Sequence, residues 1–598
     1  MRVHALVDFT SPAGAGAPRL RHAFGRPREV LEAITPGQLR PVLEAVHSHA
    51  LQGRWCVGYL RYEAAVAFDP AMKVHAADGP LAWFAVHDDA LPWPEAEEGD
   101  PKDDVTLAWD AALSRQDFDA ALGRIHEAIA NGEAYQVNFT QMLRASLRIP
   151  SGMSHGAASR RLFDALQRAQ PGGYAAWIDT GEEQVLSVSP ELFFDWRGGR
   201  LLARPMKGTA ARGATGAQDD ALAEALRASA KERAENVMIV DLLRNDMSRV
   251  AEPFSVRVER LFEVAALPTV WQMTSDIEAR TRSGTTLTDV FAALFPCGSV
   301  TGAPKLSAMR LIRELEGTPR GIYCGAVGVV QPGGAATFNV PIRTVTMKSG
   351  EARCGIGSGI TADARAEGEW QEWRHKRAFL ERASAPFEIL ETLALDEGVL
   401  RDAPAHLVRM AQAAAHFGYP WDAELAAQRL GQLAQAHATG RWRVRLLLDR
   451  RGRLQAQAHA QEAPPPRVRL RLADRAFEAS DSEFVRFKTT RRGHYDDFAP
   501  TQPGVFDTLL WNRHGELTEC TRGNIALQLD GRWVTPPLHC GLLGGVGRAR
   551  YLKEGRIEEA VVRVQDLPRV RSVAFINSLR GWVEAGIDKP AGRATVSR

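Results

Sequence analysis

The chain has 598 residues, with 74 Lys and Arg against 72 Asp and Glu, which gives a formal net charge of +2. This balance predicts no bulk electrostatic attraction to nucleic acid or to an acidic membrane surface. Hydrophobic residues make up 45% of the chain and charged residues 24%, which excludes disordered, collagen-like and disulfide-scaffold proteins.

The amino end, MRVHALVDFTSPAGAGAPRL, lacks the apolar core of a signal peptide. No uninterrupted apolar stretch approaches the ~18 residues that a membrane span needs. The six cysteines are scattered and include no CxxC pair, which is typical of buried or inert thiols in a reducing compartment. We therefore expect a cytoplasmic protein with neither a membrane nor a nucleic-acid partner.

Breaks in the pattern divide the chain into two units. A charged helical stretch ends near RASAPFE, and Pro386 interrupts it before an apolar run begins. We predict one unit over residues 1–382 and a second over 383–598. The linker EAPPP is stiff and extended, so the second unit is expected to contain sub-domains at about 386–463 and 467–598.

In chain order, the predicted elements mix strands and helices. The acidic, Pro-rich segment 91–104 is predicted to be a surface loop, and VLSVSPELFFDW to form strands. ALAEALRASAKER and KERAENVMIVDLLRND carry apolar residues at helical spacing. HLVRMAQAAAHFG predicts an amphipathic helix that ends at Gly418, and VRLLLD predicts a strand. Both units are therefore expected to be mixed α/β or α+β.

Two pairs of glutamates in the first unit could form a metal site. Glu232 and Glu235 are three residues apart on a predicted helix and share one face, and Glu369 and Glu372 repeat that spacing. If brought together, the four carboxylates would suit a hard cation such as Mg²⁺, which prefers oxygen ligands. Spacing alone leaves open the alternative of two solvated helix faces.

Other segments of the first unit carry equally ambiguous signals. GSVTGAPK (298–305) and GIGSG (355–359) are predicted small-residue loops, either anion sites or plain turns. Lys207, in RPMKGTAAR, is either a cleft nucleophile with a lowered pKa or a solvated loop lysine. Arg343 is predicted to lie on a strand.

Together these segments resemble the chorismate-utilising enzyme family, which includes anthranilate, aminodeoxychorismate, isochorismate and salicylate synthases. The ordered motifs are SPELFF, RPMKGTAAR, KERAENVMIVDLLRND, FPCGSVTGAPK, YCGAVG, IRTV, GIGSGITAD and EWQEWRHK, preceded by GYLRYE and NGEAYQVNFT. The resemblance covers roughly residues 50 to 380. It implies an α/β domain with two sheets, like that of anthranilate synthase component I.

The resemblance also implies roles for individual residues. The four glutamates would surround Mg²⁺, with Glu235 and Glu372 as direct ligands, and Glu191 would donate a proton to the departing C4 hydroxyl of chorismate. The remaining substrate contacts it implies are Arg343 and Tyr323 at the enolpyruvyl side, and Thr301, Gly357 and Lys376 at the carboxylate.

Two positions distinguish branches of this family. Gln136 stands where water-adding members carry a general-base lysine, which argues against isochorismate chemistry. Lys207 stands where anthranilate synthases carry alanine; aminodeoxychorismate synthases carry a lysine that is proposed to add at C2, so that ammonia enters at C4. Gln272, in VWQMTS, stands where many relatives have a histidine; it can hydrogen-bond like that histidine but cannot titrate.

The second unit resembles the class IV pyridoxal-phosphate family, of fold type IV. Lys488 and Glu519, each of which alone would be taken for a surface residue, lie within a complete ordered set of motifs: FEILET, HLVRM, FKTT, LTECTRGN, TPPLHCGLLGGVGR and INSLRG. This family includes aminodeoxychorismate lyase and the D-amino-acid and branched-chain transaminases.

For this unit the resemblance implies that Lys488 bonds to pyridoxal 5'-phosphate and later moves a proton. Glu519 would keep the pyridine nitrogen protonated, which makes the ring an electron sink. The phosphate would be held by Arg409, Val546, Gly547, Asn577 and Ser578. The loop GGVGR replaces the usual Pro-Gly-(Val/Ile)-Thr-Arg and lacks its threonine hydroxyl.

The fusion of the two units predicts a bifunctional enzyme that converts chorismate and ammonia to 4-aminobenzoate, a folate precursor, with Mg²⁺ and pyridoxal phosphate as cofactors. The alternatives are an anthranilate synthase-type first unit, and a D-amino-acid transaminase or an inactive docking module as the second. No span remains for a glutaminase, so a separate glutamine amidotransferase subunit is expected. The second family is commonly dimeric, which indicates a homodimer formed through that unit.

Overall fold

A computed structural model of the protein describes residues 3–12, 16–94, 105–110, 113–211, 216–266 and 270–588. Most of the predicted loop 91–104 lies outside the described residues. The chain divides into two compact units, Met1–Pro386 and Phe387–Arg598. Both contain strands and helices, which confirms the predicted mixed class.

The strands of the first unit are β1 (Ala5–Phe9), β2 (Leu20–Phe24), β3 (Glu29–Ala33), β4 (Trp55–Leu60), β5 (Ala82–His87), β6 (Thr106–Trp109), β7 (Gln136–Arg148), β8 (Tyr174–Asp179), β9 (Glu183–Ser189), β10 (Leu192–Arg197), β11 (Arg200–Arg204), β12 (Met206–Ala211), β13 (Arg257–Ala266), β14 (Val270–Arg280), β15 (Gly302–Ala303), β16 (Ala326–Val330), β17 (Ala336–Asn339), β18 (Thr344–Lys348) and β19 (Glu351–Ile360). Its helices are α1 (Pro36–Leu51), α2 (Ala65–Phe68), α3 (Arg115–Ala130), α4 (His155–Ala169), α5 (Gly216–Ala228), α6 (Ala230–Ser248), α7 (Leu287–Leu294), α8 (Lys305–Leu315) and α9 (Ala366–Ala383).

These strands form two sheets. One has the order β15-β7-β19-β18-β9-β8-β1-β2, with β6 also paired to β7. The other has the order β12-β14-β11-β10-β17-β16-β4-β5-β3, with β13 also paired to β14. A core of Phe and Leu side chains, including Phe193, Phe194, Phe291 and Phe338, packs α1 and α7 against the second sheet.

Two local predictions in this unit are wrong. GIGSG is not a loop but the end of strand β19, which pairs along its length with β7. Its glycines are needed because side chains and backbone of neighbouring elements approach the strand too closely for a Cβ atom. Arg343 lies just before β18 instead of on a strand, with a φ of 50° in the left-handed region.

The second unit contains β20 (Ile389–Asp396), β21 (Val399–Leu400), β22 (Arg441–Leu448), β23 (Leu454–Ala460), β24 (Arg467–Leu472), β25 (Asp507–Trp511), β26 (Leu517–Cys520), β27 (Asn524–Leu529), β28 (Arg532–Thr535), β29 (Glu558–Glu559), β30 (Ser572–Asn577) and β31 (Gly581–Asp588). Its helices are α10 (Ala403–Phe417), α11 (Ala423–Ala436), α12 (Glu483–Arg486) and α13 (Val546–Lys553).

The strands of this unit also form two sheets, one on each side of the segment 462–466. The first has the order β21-β20-β22-β23, and the second β26-β25-β24-β31-β30-β27-β28-β29. Helix α10 ends at Gly418, whose φ of 70° fits the left-handed cap that the sequence predicts. Its apolar face packs through Met410, Ala414 and Phe417 on the first sheet.

All six cysteines are buried and free, as the sequence predicts for inert thiols. Among the described residues, no helix combines the length and the apolar character that a membrane crossing requires.

Candidate active sites

Helices α6 and α9 carry the two glutamate pairs. Helix α6 begins after Ser229, whose Oγ accepts a hydrogen bond from the backbone N–H of Glu232 at 3.3 Å and fixes the first turn. Glu235 and Glu369 are buried, with 9% and 5% of their surface exposed. Ser358, on β19, donates a 2.6 Å hydrogen bond to Glu369 Oε2 and so ties α9 to the sheet.

The four glutamates are electrostatic neighbours. Burial raises the pKa values of Glu232, Glu235 and Glu369, and repulsion from other members of the quartet raises each further. Burial also acts to raise the pKa of Glu372, but Lys376, 2.6 Å away, outweighs it and leaves that pKa below its ordinary value. Such a set of oxygen donors fits a hard divalent cation, whose charge would relieve this repulsion.

Lysine ammonium groups lie against these carboxylates. Lys207 Nζ is 3.8 Å from Glu235 Oε2, and Lys231 Nζ is 3.8 Å from Glu235 Oε1. In this conformation, no three acidic, His or Cys side chains of the described residues converge closely enough to share a metal ion. The magnesium site therefore stays a prediction, supported by the proximity and the chemistry of the donors.

Lys207 points into the cleft instead of into solvent. It lies on β12, and 14% of its side chain is exposed. A Cβ atom added to Gly359 would lie 2.6 Å from both Lys207 Nζ and Gln136 Nε2, so the lysine and the glutamine meet at this glycine. Both polar atoms of the Gln136 amide are buried without a hydrogen-bond partner among the described residues, which suits a ligand contact.

Gly359 is a candidate site residue that sequence reasoning missed, although it ends the GIGSG motif. The Gly359→Ala variant should keep its fold, because the added Cβ meets only the ends of the Lys207 and Gln136 side chains, which can move. It should lose most activity on chorismate because the Lys207 amine is displaced. The control is Gly368→Ala, on α9, where an added Cβ meets no atom within 4 Å. Steady-state kinetics with thermal melting of both variants measures the effect; equal activities would contradict it.

Glu191 lies in the same cleft as Lys207. It follows Ser189 and Pro190 at the junction of β9 and β10, and 4% of its surface is exposed. Burial raises its pKa to about 7, although Ser299 and the charges of Lys207 and Lys376 act in the opposite direction. Its Oε1 atom has no hydrogen-bond partner among the described residues. A carboxyl group with this pKa is protonated in about half of the molecules at neutral pH, and in that form it can donate a proton.

For Glu191→Gln we expect kcat on chorismate to fall by about 10²–10⁴-fold, since the amide cannot donate the proton. In the unsubstituted protein the rate should decline as pH rises through about 7, where Glu191 loses its proton, and the variant should lack this decline. Glu63→Gln is the control, because burial raises the pKa of Glu63 to about 7 as well. A pH profile unchanged by Glu191→Gln, or changed equally by both substitutions, would refute the assignment.

Gln272 braces the strand that carries Lys207. Its Nε2 donates a 2.8 Å hydrogen bond to the Gly208 carbonyl, and its Oε1 accepts one from Thr209 Oγ at 3.1 Å. The Gln272 amide therefore fixes the backbone next to Lys207.

Arg343 is a partly buried cation without a carboxylate partner among the described residues. Its guanidinium donates to Gln170 Oε1, and burial together with repulsion from Arg382 lowers its pKa to about 10. An anion beside it would relieve this cost. The buried Tyr323 ring packs on β19 at Gly355, where a Cβ would overlap it.

Of the three residues predicted to contact the chorismate carboxylate, the structure brings only two together. Lys376 Nζ donates a 2.9 Å hydrogen bond to the Gly357 carbonyl, so these two residues are in contact. The Thr301 hydroxyl is buried and donates to the Cys297 carbonyl at 3.1 Å, where it closes the turn before α8. The role of Thr301 toward a ligand stays a prediction.

A buried ion pair, also missed from the sequence, holds this region in place. Arg320 bonds to Glu316 at 2.7 Å and donates to the carbonyls of Val300 and Asn138 at 2.7 and 2.6 Å. These contacts connect the 298–305 turn to β7, next to Gln136. Glu316 and Arg320 are only four residues apart, but no periodicity or motif marks the bonds of Arg320 to Val300 and Asn138, which lie far from it in the chain.

In the second unit, Lys488 and Glu519 line a cavity of about 330 Å³ between its two sheets. Burial, with repulsion from Arg492 and Arg409, lowers the pKa of Lys488 to about 7. Burial raises the pKa of Glu519 to about 7. Tyr495 Oη donates to Glu519 Oε1 at 2.7 Å and the Leu543 N–H donates to Oε2 at 3.1 Å, which fixes the carboxyl group.

The predicted phosphate residues converge at one end of this cavity. Val546 and Gly547 begin α13, where backbone N–H groups favour an anion. A Cβ on Gly547 would lie about 3 Å from the backbone of Asn577 and Ser578, so these residues are in close contact. Arg409 donates to the Gly544 carbonyl at 2.9 Å, and Glu391, which sequence reasoning missed, accepts from it at 2.6 and 2.8 Å. The cavity thus fits pyridoxal phosphate.

Comparison with known proteins gives a family for each unit. A sequence model described as chorismate binding enzyme matches residues 25–382, and one described as amino-transferase class IV matches residues 388–585. Aminodeoxychorismate synthase component 1 of Klebsiella aerogenes is 40% identical over 284 residues, which cover 47% of this chain and 61% of that protein. Anthranilate synthase component 1 of Streptomyces coelicolor is 38% identical over 282 residues, 47% of this chain and 54% of that protein.

The matched region thus spans between one half and about three fifths of these two relatives. Among solved structures, the menaquinone-specific isochorismate synthase of Escherichia coli aligns with a TM-score of 0.50 at 18% identity, covering 64% of this chain and 89% of that one. This likeness concerns the fold alone, and it agrees with the two-sheet architecture of the first unit.

Proposed function

The chain belongs to the family of chorismate-binding enzymes and carries a class IV amino-transferase domain, and on this premise we propose that it makes 4-aminobenzoate from chorismate and ammonia. The first unit would aminate chorismate at C4. The second would eliminate pyruvate from the resulting 4-amino-4-deoxychorismate. The observation that carries the proposal is the Lys207 amine, held in the cleft beside Glu235 and electrostatically coupled to Glu191.

The residues of the cleft suit a two-step displacement. Lys207 supplies an electron pair to C2 of the ring, the ring double bonds shift, and the C4 hydroxyl leaves as water with a proton from Glu191. Ammonia then attacks C4, the double bonds shift back, and the C2–N bond to Lys207 breaks. Direct attack by ammonia at C2 would instead give the 2-amino product.

Charged residues around the cleft suit the two carboxylates of chorismate. Arg343, partly buried without a carboxylate partner among the described residues, would hold the enolpyruvyl carboxylate. Glu232, Glu235, Glu369 and Glu372 would hold Mg²⁺, which supplies positive charge against the ring carboxylate. The glutamate side chains would have to rotate to bring their oxygens within coordination distance of the ion.

In the second unit, Lys488 and Glu519 have the properties that a class IV cofactor site needs. Bound pyridoxal phosphate would supply an electron sink, and Glu519 would keep its ring nitrogen protonated. Lys488, with a pKa of about 7, can take up a proton and return it at neutral pH. Arg409, Val546, Gly547, Asn577 and Ser578 would hold the phosphate.

The test is product identification after incubation with chorismate, Mg²⁺ and ammonium. We expect 4-aminobenzoate and pyruvate. Release of 2-aminobenzoate would assign the first unit to anthranilate synthesis, which the likeness to the Streptomyces coelicolor protein keeps as the second candidate. Transamination between D-alanine and 2-oxoglutarate without release of pyruvate from aminodeoxychorismate would make the second unit a transaminase.

The relatives named component 1 imply a partner that supplies ammonia. We propose a separate glutamine amidotransferase subunit in this role. The purified chain should then use ammonium far better than glutamine, and equal use of both would contradict the proposal.

A further inference from the structure

The cavity of the second unit contains more positive charge than a cofactor phosphate needs. Besides Lys488 it is lined by six arginines: Arg409, Arg443, Arg445, Arg492, Arg522 and Arg580. Two of these are compensated, since Arg409 pairs with Glu391 at 2.6 Å and Arg522 lies 3.5 Å from Asp507. Among the described residues, the other four form no ion pair with a carboxylate. A phosphate group brings up to about two negative charges, so about two positive charges remain.

Three of the four arginines without an ion pair lie away from the start of α13. Arg443 and Arg445 are two residues apart on β22 and so point to the same face of its sheet. Arg445 pairs across the strands with Thr392, which also lines the cavity. Arg580 follows Ser578 in the turn between β30 and β31 and reaches the cavity from the other sheet.

Arg443 and Arg522 lie close enough to Arg580 for their charges to act on its guanidinium group. Burial lowers the pKa of Arg580, and the charges of Arg522 and Arg443 lower it further, which outweighs the opposite effect of Asp507. Like charges held together without anions cost free energy, and a bound anion removes this cost. Guanidinium groups are also the donors best matched to a carboxylate, because two parallel N–H groups reach its two oxygens.

We propose that Arg443, Arg445 and Arg580 form a carboxylate subsite, distinct from the residues predicted to hold the cofactor phosphate. This subsite selects amine substrates with two carboxylates over those with one. This inference rests on the proposed function and deepens it, since the intermediate passed to this unit carries two carboxylates. The arginines determine specificity by orienting the substrate against Lys488. They take no part in the chemistry at the reacting carbon.

The test uses the holoenzyme and two ligands that have no amine and therefore cannot react, isophthalate and benzoate. Binding is followed by the visible absorbance of the bound cofactor, which reports on the second unit only. The unsubstituted protein should bind the dicarboxylate isophthalate about tenfold or more tightly than benzoate, the effect expected for one charged hydrogen-bonding contact. The double variant Arg443→Gln/Arg445→Gln should lose this preference while keeping its cofactor.

The control is Arg441→Gln, which removes the same charge from the same strand; Arg441 lies 3.4 Å from Asp396. On aminodeoxychorismate the double variant should raise KM with little change in kcat, because it removes binding and not chemistry. Equal weakening by Arg441→Gln, loss of the cofactor from the double variant, or an unchanged preference for isophthalate would each overturn the subsite. If the preference holds but the unsubstituted protein makes no 4-aminobenzoate, the subsite stands and the proposed function fails.

Discussion

Replacing Lys207 with alanine is expected to abolish 4-aminobenzoate formation from chorismate, with a loss of about 10⁴-fold or more, as for removal of other covalent nucleophiles. Without the amine at C2, nothing directs ammonia to C4. Any residual turnover should place nitrogen at C2, because ammonia can enter the space that the lysine leaves. Chromatography of the products from chorismate, Mg²⁺ and ammonium measures both the loss and the position of the amino group.

Lys231→Ala is the matched control for this substitution. Lys231 and Lys207 each lie 3.8 Å from an oxygen of Glu235, but half of the Lys231 side chain is exposed. Both substitutions remove one positive charge from the same carboxylate, and only Lys207→Ala removes the nucleophile. Similar losses in the two variants would mean that Lys207 acts through its charge alone.

Replacing Lys488 with alanine should stop the second reaction and leave the first intact. We expect 4-amino-4-deoxychorismate to accumulate while 4-aminobenzoate and pyruvate fall below detection, because no other described side chain of the cavity combines an amine with a pKa near 7. The visible absorbance of the cofactor should also change, since its covalent anchor is lost. Product analysis and absorbance spectra together measure the effect.

Lys553→Ala serves as the control, because Lys553 is an exposed lysine at the opposite end of α13 from Val546 and Gly547. It should release 4-aminobenzoate at the normal rate. Continued production of 4-aminobenzoate by Lys488→Ala would show that the second unit is a docking or structural module.

The sequence predicts the parts of both sites that depend on local pattern. The spacing of Glu232 with Glu235, and of Glu369 with Glu372, places each pair on one helix face, and the structure has them on α6 and α9. The helix that ends at Gly418 follows from the same periodicity and from its left-handed cap. The ordered motifs indicated the family of each unit.

What could not be predicted depends on contacts between distant residues. The glycines in GIGSG favour a loop when considered alone, but the segment is a strand. It needs glycine because the Tyr323 ring, the backbone of β7 and the Lys207 amine leave no space for Cβ atoms. The left-handed backbone of Arg343, the bonds of Arg320 to the Val300 and Asn138 carbonyls, and the convergence of Arg443 with Arg580 likewise arise only when separate elements pack together. Local sequence carries no signal for such contacts.

The most direct measurement is mass spectrometry of the protein incubated with chorismate and Mg²⁺ in the absence of ammonium and glutamine. An adduct with the mass of chorismate minus water should form on the peptide that contains Lys207, and it should disappear when ammonium is added as 4-aminobenzoate is released. Formation of 4-aminobenzoate at an undiminished rate by Lys207→Ala, with no adduct on the unsubstituted protein, would contradict the covalent role of this lysine.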